Sequence, residues 1–102
     1  MKRTIIVTEP ATNDLKDIVS YIAADSVSRA LKMHDVIMER LHLLEANPNI
    51  GGYPKTKKLK AEGYRKLIIE NYIVMYRLSE LKKNEIYIIR VFHGAMNYEK
   101  HL

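Results

Sequence analysis

The 102 residues contain no cysteine and no tryptophan. Without thiols, structural disulfides, cysteine-ligated zinc and iron–sulfur clusters are excluded. Long apolar runs are also missing. After Met1-Lys2-Arg3 the run is only Ile5-Ile6-Val7, too short for a signal-peptide core and far too short to span a bilayer, so a cytoplasmic protein is expected. The four histidines, 34, 42, 93 and 101, show no metal-ligand spacing, and neither a metal nor a cofactor is expected. A Gly-x-Ser-x-Gly elbow and a phosphate-binding loop are lacking too. So are repeats, linkers and low-complexity tracts, and residues 1–102 read as a single domain. An enzyme built this way would have to work with Tyr, His and basic side chains alone. Such chemistry is compatible with RNA cleavage, where the ribose 2′-hydroxyl supplies the nucleophile.

What is present is positive charge, unevenly placed. The chain carries 17 Lys and Arg against 12 Asp and Glu, net +5. Residues 1–50 hold six basic and seven acidic side chains, and residues 51–102 hold eleven and five, so the second half is net +6. A nucleic acid or an acidic protein segment is the partner class this asymmetry favours. A membrane is not, because the amphipathic helices described next have acidic and mixed polar faces.

Thr4-Ile5-Ile6-Val7 is β-branched throughout and reads as a short strand. Thr8 or Glu9 can cap a helix that has Pro10 in its first turn. Ala11, Leu15, Ile18, Val19 and Ile22 draw one stripe on it, with Asp14 and Asp17 off the stripe. Ala24-Asp25-Ser26 interrupts that stripe. A second one, Val27, Ala30, His34, Ile37, Leu41 and Leu44, ends before Asn47-Pro48. Residues 10–46 therefore form an antiparallel helical hairpin. Residues 47–54 hold two Pro, two Gly and two Asn, a loop by composition, and the basic stretch 55–60 follows. Residues 64–69, 72–78 and 85–92 are rich in Ile, Val and Tyr and read as an antiparallel meander. The expected architecture is α+β, ordered β-α-α-β-β-β, with Leu15, Ile18, Ile22, Ile37, Leu41, Leu44 and one face of the meander largely buried.

Lys55, Lys57, Lys58 and Lys60 are either a solvated loop or a phosphate-attracting face. Arg65 and Lys66 follow closely, and Tyr64, Tyr72 and Tyr76 add rings on which bases could stack. Strand alternation puts Arg65, Leu67 and Ile69 on one face and Tyr64, Lys66 and Ile68 on the other. His34 reads as a core or interface residue, and His42 as exposed. His93 closes the last strand, where an imidazole could act as a general base near neutral pH. Arg90 could contact a target, or pair with a carboxylate such as Glu70. Tyr98 and the tail after it could simply cover the sheet's edge.

Several strings resemble the RelE/ParE superfamily of bacterial type II toxin–antitoxin toxins. They are residues 14–22 (DLKDIVSYI) for the first helix, 63–67 (GYRKL) and 72–77 (YIVMYR) for the meander, and 89–94 (IRVFHG) for its last strand. The resemblance implies a RelE/ParE-like fold and a toxin neutralised by a cognate antitoxin, acidic and partly disordered when free, that would contact Leu15, Ile22, Arg65 and Tyr76. It leans to the ParE branch, whose members stabilise plasmids and inhibit DNA gyrase, with Lys55, Lys57, Lys58, Lys60, Arg65 and Arg90 as target or nucleic-acid contacts. RelE-like toxins typically carry an arginine where this chain has Ile73. The alternative is a RelE-like ribosome-dependent mRNA endoribonuclease, metal-independent, with His93, Arg65 and Tyr98 as catalytic residues. A reading of another class is a stand-alone RNA-binding protein. Ala95 and Asn97 stand where ParE-like members often carry Arg and Asp, which implies an attenuated chain.

Overall fold

In the computed structural model residues 3–79 and 84–94 are described. The β-branched start extends as β1 (Thr4–Val7). Thr8, in extended backbone, precedes α1 (Glu9–Ala23), whose second residue is Pro10. Ser26 starts α2 (Val27–Leu44) by accepting the backbone N–H of Arg29 at 3.2 Å, the usual remedy for an orphan helix-end donor. The loop 47–54 leads to α3 (Lys57–Ala61). Then come β2 (Tyr64–Ile69), β3 (Tyr72–Leu78) and β4 (Glu85–His93). Among the described residues no helix is long and apolar enough to cross a membrane.

The sheet order is β1-β4-β3-β2. β2, β3 and β4 form the expected antiparallel meander, and β1 adds to the outside of β4 in parallel. A parallel neighbour needs a long crossover, and the segment carrying both long helices supplies it. The register between β3 and β4 slips once, from Met75 opposite Arg90 to Tyr76 opposite Ile88, which leaves Ile89 as a bulge. Only β4 residues 85–88 face β1, so the strand's outer edge is open beyond Ile88.

The core lies between the helices and one sheet face. Ala11, Ile37, Leu41 and Leu44 meet Leu67, Ile69, Val74, Tyr76, Ile86, Ile88 and Val91. Thus the face bearing Arg65, Leu67 and Ile69 is the one turned to the helices. Met75 and Phe92, with Tyr64 and Ile73 against them, form a smaller cluster on the opposite face.

Leu15, Ile18 and Ile22 are mostly covered, less deeply than Ile37, Leu41 and Leu44, and Leu15 and Ile18 pack against the core. Two expectations need correcting. On α2 the buried set is Ala30, Ile37, Leu41 and Leu44; Val27 is 64% exposed and His34 is exposed beside Asp35. The stretch from Lys55 to Lys60 is not all loop, since α3 forms one helical turn around the buried Leu59. Gly63, at φ 90°, ends that turn in a backbone conformation that a side chain disfavours.

Candidate functional site

The loop 47–54 is fastened to the sheet by a chain of hydrogen bonds that starts from a core side chain. Tyr76 is fully buried, and its hydroxyl donates to the Pro48 carbonyl at 2.8 Å while accepting the Gly51 N–H at 3.0 Å. A Cβ on Gly51 would stand 2.6 Å from both the Lys66 carbonyl and the Tyr76 hydroxyl, so only glycine fits. Gly52 exchanges two 2.9 Å backbone hydrogen bonds with Lys66. The loop so covers part of the open edge of β2, and Arg40 reaches the Ile68 carbonyl farther along it at 3.4 Å. Burial pushes the Tyr76 hydroxyl above the usual phenolic range, opposed by the Gly51 N–H and the Arg65 charge.

On this platform the cations gather. Arg65 donates to the Gly51 carbonyl at 2.7 Å and to the Tyr53 hydroxyl at 3.0 Å, with the Asn49 carbonyl at 3.4 Å. The Tyr53 ring has the Arg65 guanidinium 4.4 Å and the Lys60 ammonium 4.5 Å from its centre, distances at which a cation is attracted to the ring. Lys55, Lys57 and Lys58 stand exposed beside this cluster. Tyr53, 51% exposed, is the member that sequence reasoning missed. Its signal was a lone aromatic inside a Gly/Pro loop immediately before the lysines.

Other predicted residues lie elsewhere. His93 is exposed and meets Tyr72 edge-on, ring centres 5.7 Å apart. Arg65 pairs across the sheet with Tyr76, and His93 with Tyr72. Four residues and two strand spacings therefore separate them, roughly 16 Å between Cα atoms. The guanidinium of Arg65 moreover points to the loop at the β2 edge. Tyr98, Ala95 and Asn97 lie outside the described residues. Arg90 does pair with a carboxylate, but with Asp14 of α1 and not Glu70. Its Nε and Nη2 donate to Asp14 at 2.7 and 3.0 Å, and the Val91 N–H adds a third bond at 2.9 Å. Asp14 thereby holds the guanidinium above its already high ordinary range and satisfies the edge of β4 that β1 leaves open. Tyr76, expected as a stacking ring or antitoxin contact, has no exposed surface and serves as the loop's anchor. Among the described residues no group of three or more His, Asp or Glu could hold a metal.

A second feature is a groove of about 470 Å³ on the outer face of the helical hairpin, lined by Thr12, Leu15, Lys16, Val19, Ser20, His34 and Met38. Ile22 instead lines a separate hollow at the hairpin turn with Tyr21, Ala24, Asp25 and Arg29. Tyr21 is 82% exposed and Leu31 60%.

The family of ParE toxins of the type II toxin–antitoxin system parDE matches residues 5–98. Among solved structures, the fold resembles a chain of a chromosomal ParDE toxin–antitoxin system from P. aeruginosa. The TM-score is 0.71 at 24% identity, covering 90% of this chain and 96% of that one. It also resembles a chain of the RelBE2 toxin–antitoxin complex from Mycobacterium tuberculosis, with a TM-score of 0.59 at 21% identity, covering 91% and 99%. At these identities the structures speak for a shared fold. No curated protein matches the sequence.

Proposed function

This chain belongs to the ParE toxin family of type II toxin–antitoxin systems, and we propose on that premise that it inhibits DNA gyrase in the cytoplasm and is silenced by a cognate antitoxin. The family match over residues 5–98 carries the reading. Within the molecule, the roughly 16 Å between Arg65 and His93 along the sheet speaks against a ribonuclease built on that pair, because acid, base and phosphate contact must all reach one scissile bond. Ile73, half-buried against Met75 and Phe92, offers no charge to a phosphate.

The antitoxin segment would lie in the hairpin groove, with apolar side chains against Leu15, Val19 and Met38. An amphipathic helix folding into such a groove is a recurrent recognition mode. Expression of the chain alone should arrest growth with a DNA-damage response while protein synthesis continues, and co-expression of the antitoxin should restore growth. Collapse of protein synthesis with undamaged DNA would transfer the chain to the mRNA-cleaving alternative.

A further inference from the structure

The whole excess charge of the protein sits in one short segment. Residues 52–66 carry six basic side chains, Lys55, Lys57, Lys58, Lys60, Arg65 and Lys66, against the single acid Glu62, net +5. The chain as a whole has 17 basic and 12 acidic side chains, so the remaining 11 and 11 cancel. The fold then holds the segment in place. Leu59 anchors α3 with Lys57, Lys58 and Lys60 exposed around it, and Tyr76, Gly51 and Arg65 fix the loop alongside. Ion pairs such as Arg29–Asp25, His34–Asp35, His42–Glu45 and Arg90–Asp14 form among the described residues, and none of these involves Lys55, Lys57 or Lys58.

Lysines held around α3, with Lys55, Lys57 and Lys58 outside these ion pairs, fit a polyanion, and the details select which one. Arg65 commits Nη1 to the Gly51 and Asn49 carbonyls and Nη2 to the Tyr53 hydroxyl, so its end-on fork is engaged within the loop and the lysines are the charges left to meet a partner. The lysines are point charges, which accept phosphates in any register. Single-stranded RNA is read largely by stacking its bases on aromatic rings. Here Tyr76 is buried, Tyr53 is occupied by two cations, and Tyr64 has the Arg77 guanidinium 5.3 Å from its ring centre. We propose that residues 52–66, with α3 at their centre, form a sequence-independent docking surface for the phosphate backbone of duplex DNA. The surface brings the toxin to DNA by itself and does not require that gyrase be the target.

The test is fluorescence anisotropy of the full chain with a labelled duplex of roughly 25 base pairs between about 50 and about 200 mM salt. Four lysine–phosphate contacts give a slope of about −3.6 in log K against log salt, a loss of roughly 150-fold over that range. Lys57→Ala with Lys58→Ala should halve the slope, so that the loss shrinks to roughly 12-fold, while Lys32→Ala on α2 should leave it unchanged. Melting temperatures of the variants report whether they fold, and Lys55→Ala with Lys60→Ala repeats the measurement at other positions. No binding at the lowest salt, or a slope that the lysine variants do not change, would overturn the proposal. So would tighter binding of single-stranded RNA, which assigns the face to RNA, or equal competition by polyglutamate, which assigns it to an acidic protein. Gyrase is absent from this assay, so its failure leaves the gyrase reading intact, and the converse holds.

Discussion

Tyr76 does more than fill the core, because its hydroxyl determines where the loop 47–54 sits. Tyr76→Phe keeps the ring but leaves the Pro48 carbonyl and the Gly51 N–H without the partner they have now. A loss of about 1–3 kcal/mol in urea unfolding is expected, and an unchanged midpoint would deny the loop its anchor. The same hydroxyl makes stability depend on alkaline pH. Its pKa is raised in the folded protein, chiefly by burial, so the unfolded chain releases this proton first. The contribution is complete below the unfolded phenol's pKa of about 10 and is lost as pH climbs from there toward the folded value. Tyr76→Phe should remove that part of the alkaline decline. Parallel wild-type and variant stability curves above pH ~10 would contradict the assignment.

At the scale of elements, the decisive contact is between α1 and the edge of β4. β1 stops at Val7, and two side chains take over its hydrogen-bonding work. Thr8 donates to the Ile88 carbonyl at 2.7 Å, and Asp14 accepts the Val91 N–H together with Arg90. Asp14→Ala should cost about 1.5–3 kcal/mol by urea unfolding, the range for hydrogen bonds to charged groups, and Asp14→Asn less, because an amide oxygen can still accept from Val91. Equal losses in the two variants would show that helix packing, not this carboxylate, secures α1. On the other side of the hairpin, Val19→Asp should weaken antitoxin binding at least tenfold in calorimetry while moving the unfolding midpoint little, since Val19 is only half-buried. Unaltered affinity would place the antitoxin elsewhere.

These elements also show what could be read in advance. Periodicity located both long helices, because a 3.6-residue spacing is a direct consequence of burying one face, and β-branched and tyrosine-rich composition located all four strands. It could not find the partner of Arg90, because spacing reports which face a residue lies on but not which strand edge it will meet. Asp14 looked like a solvent-side acid for that reason. α3 was hidden by four lysines around a single Leu59, too short to show a period. Tyr76 was misjudged since a tyrosine in a strand can stack on a ligand or anchor a core equally well, and only the position of loop 47–54 decides. Candidate residues were therefore mostly legible as types, whereas their grouping was not: Lys60 and Arg65 came together around Tyr53, and His93 stayed at the far end of the sheet.

Taken as a whole, the molecule separates two surfaces. The hairpin offers a groove with apolar walls for the antitoxin, and the segment around α3 offers the net charge for a phosphate backbone, so the two partners need not compete. The central claim, a ParE-like toxin acting on gyrase, is tested most directly by incubating the purified protein with gyrase, ATP and supercoiled plasmid and trapping the products with detergent and protease. A gyrase poison yields linear, gyrase-cleaved DNA that increases with toxin and disappears when antitoxin is added first, while mRNA on ribosomes stays intact. Supercoiled plasmid left unbroken beside message cut in the ribosomal A site would contradict the claim.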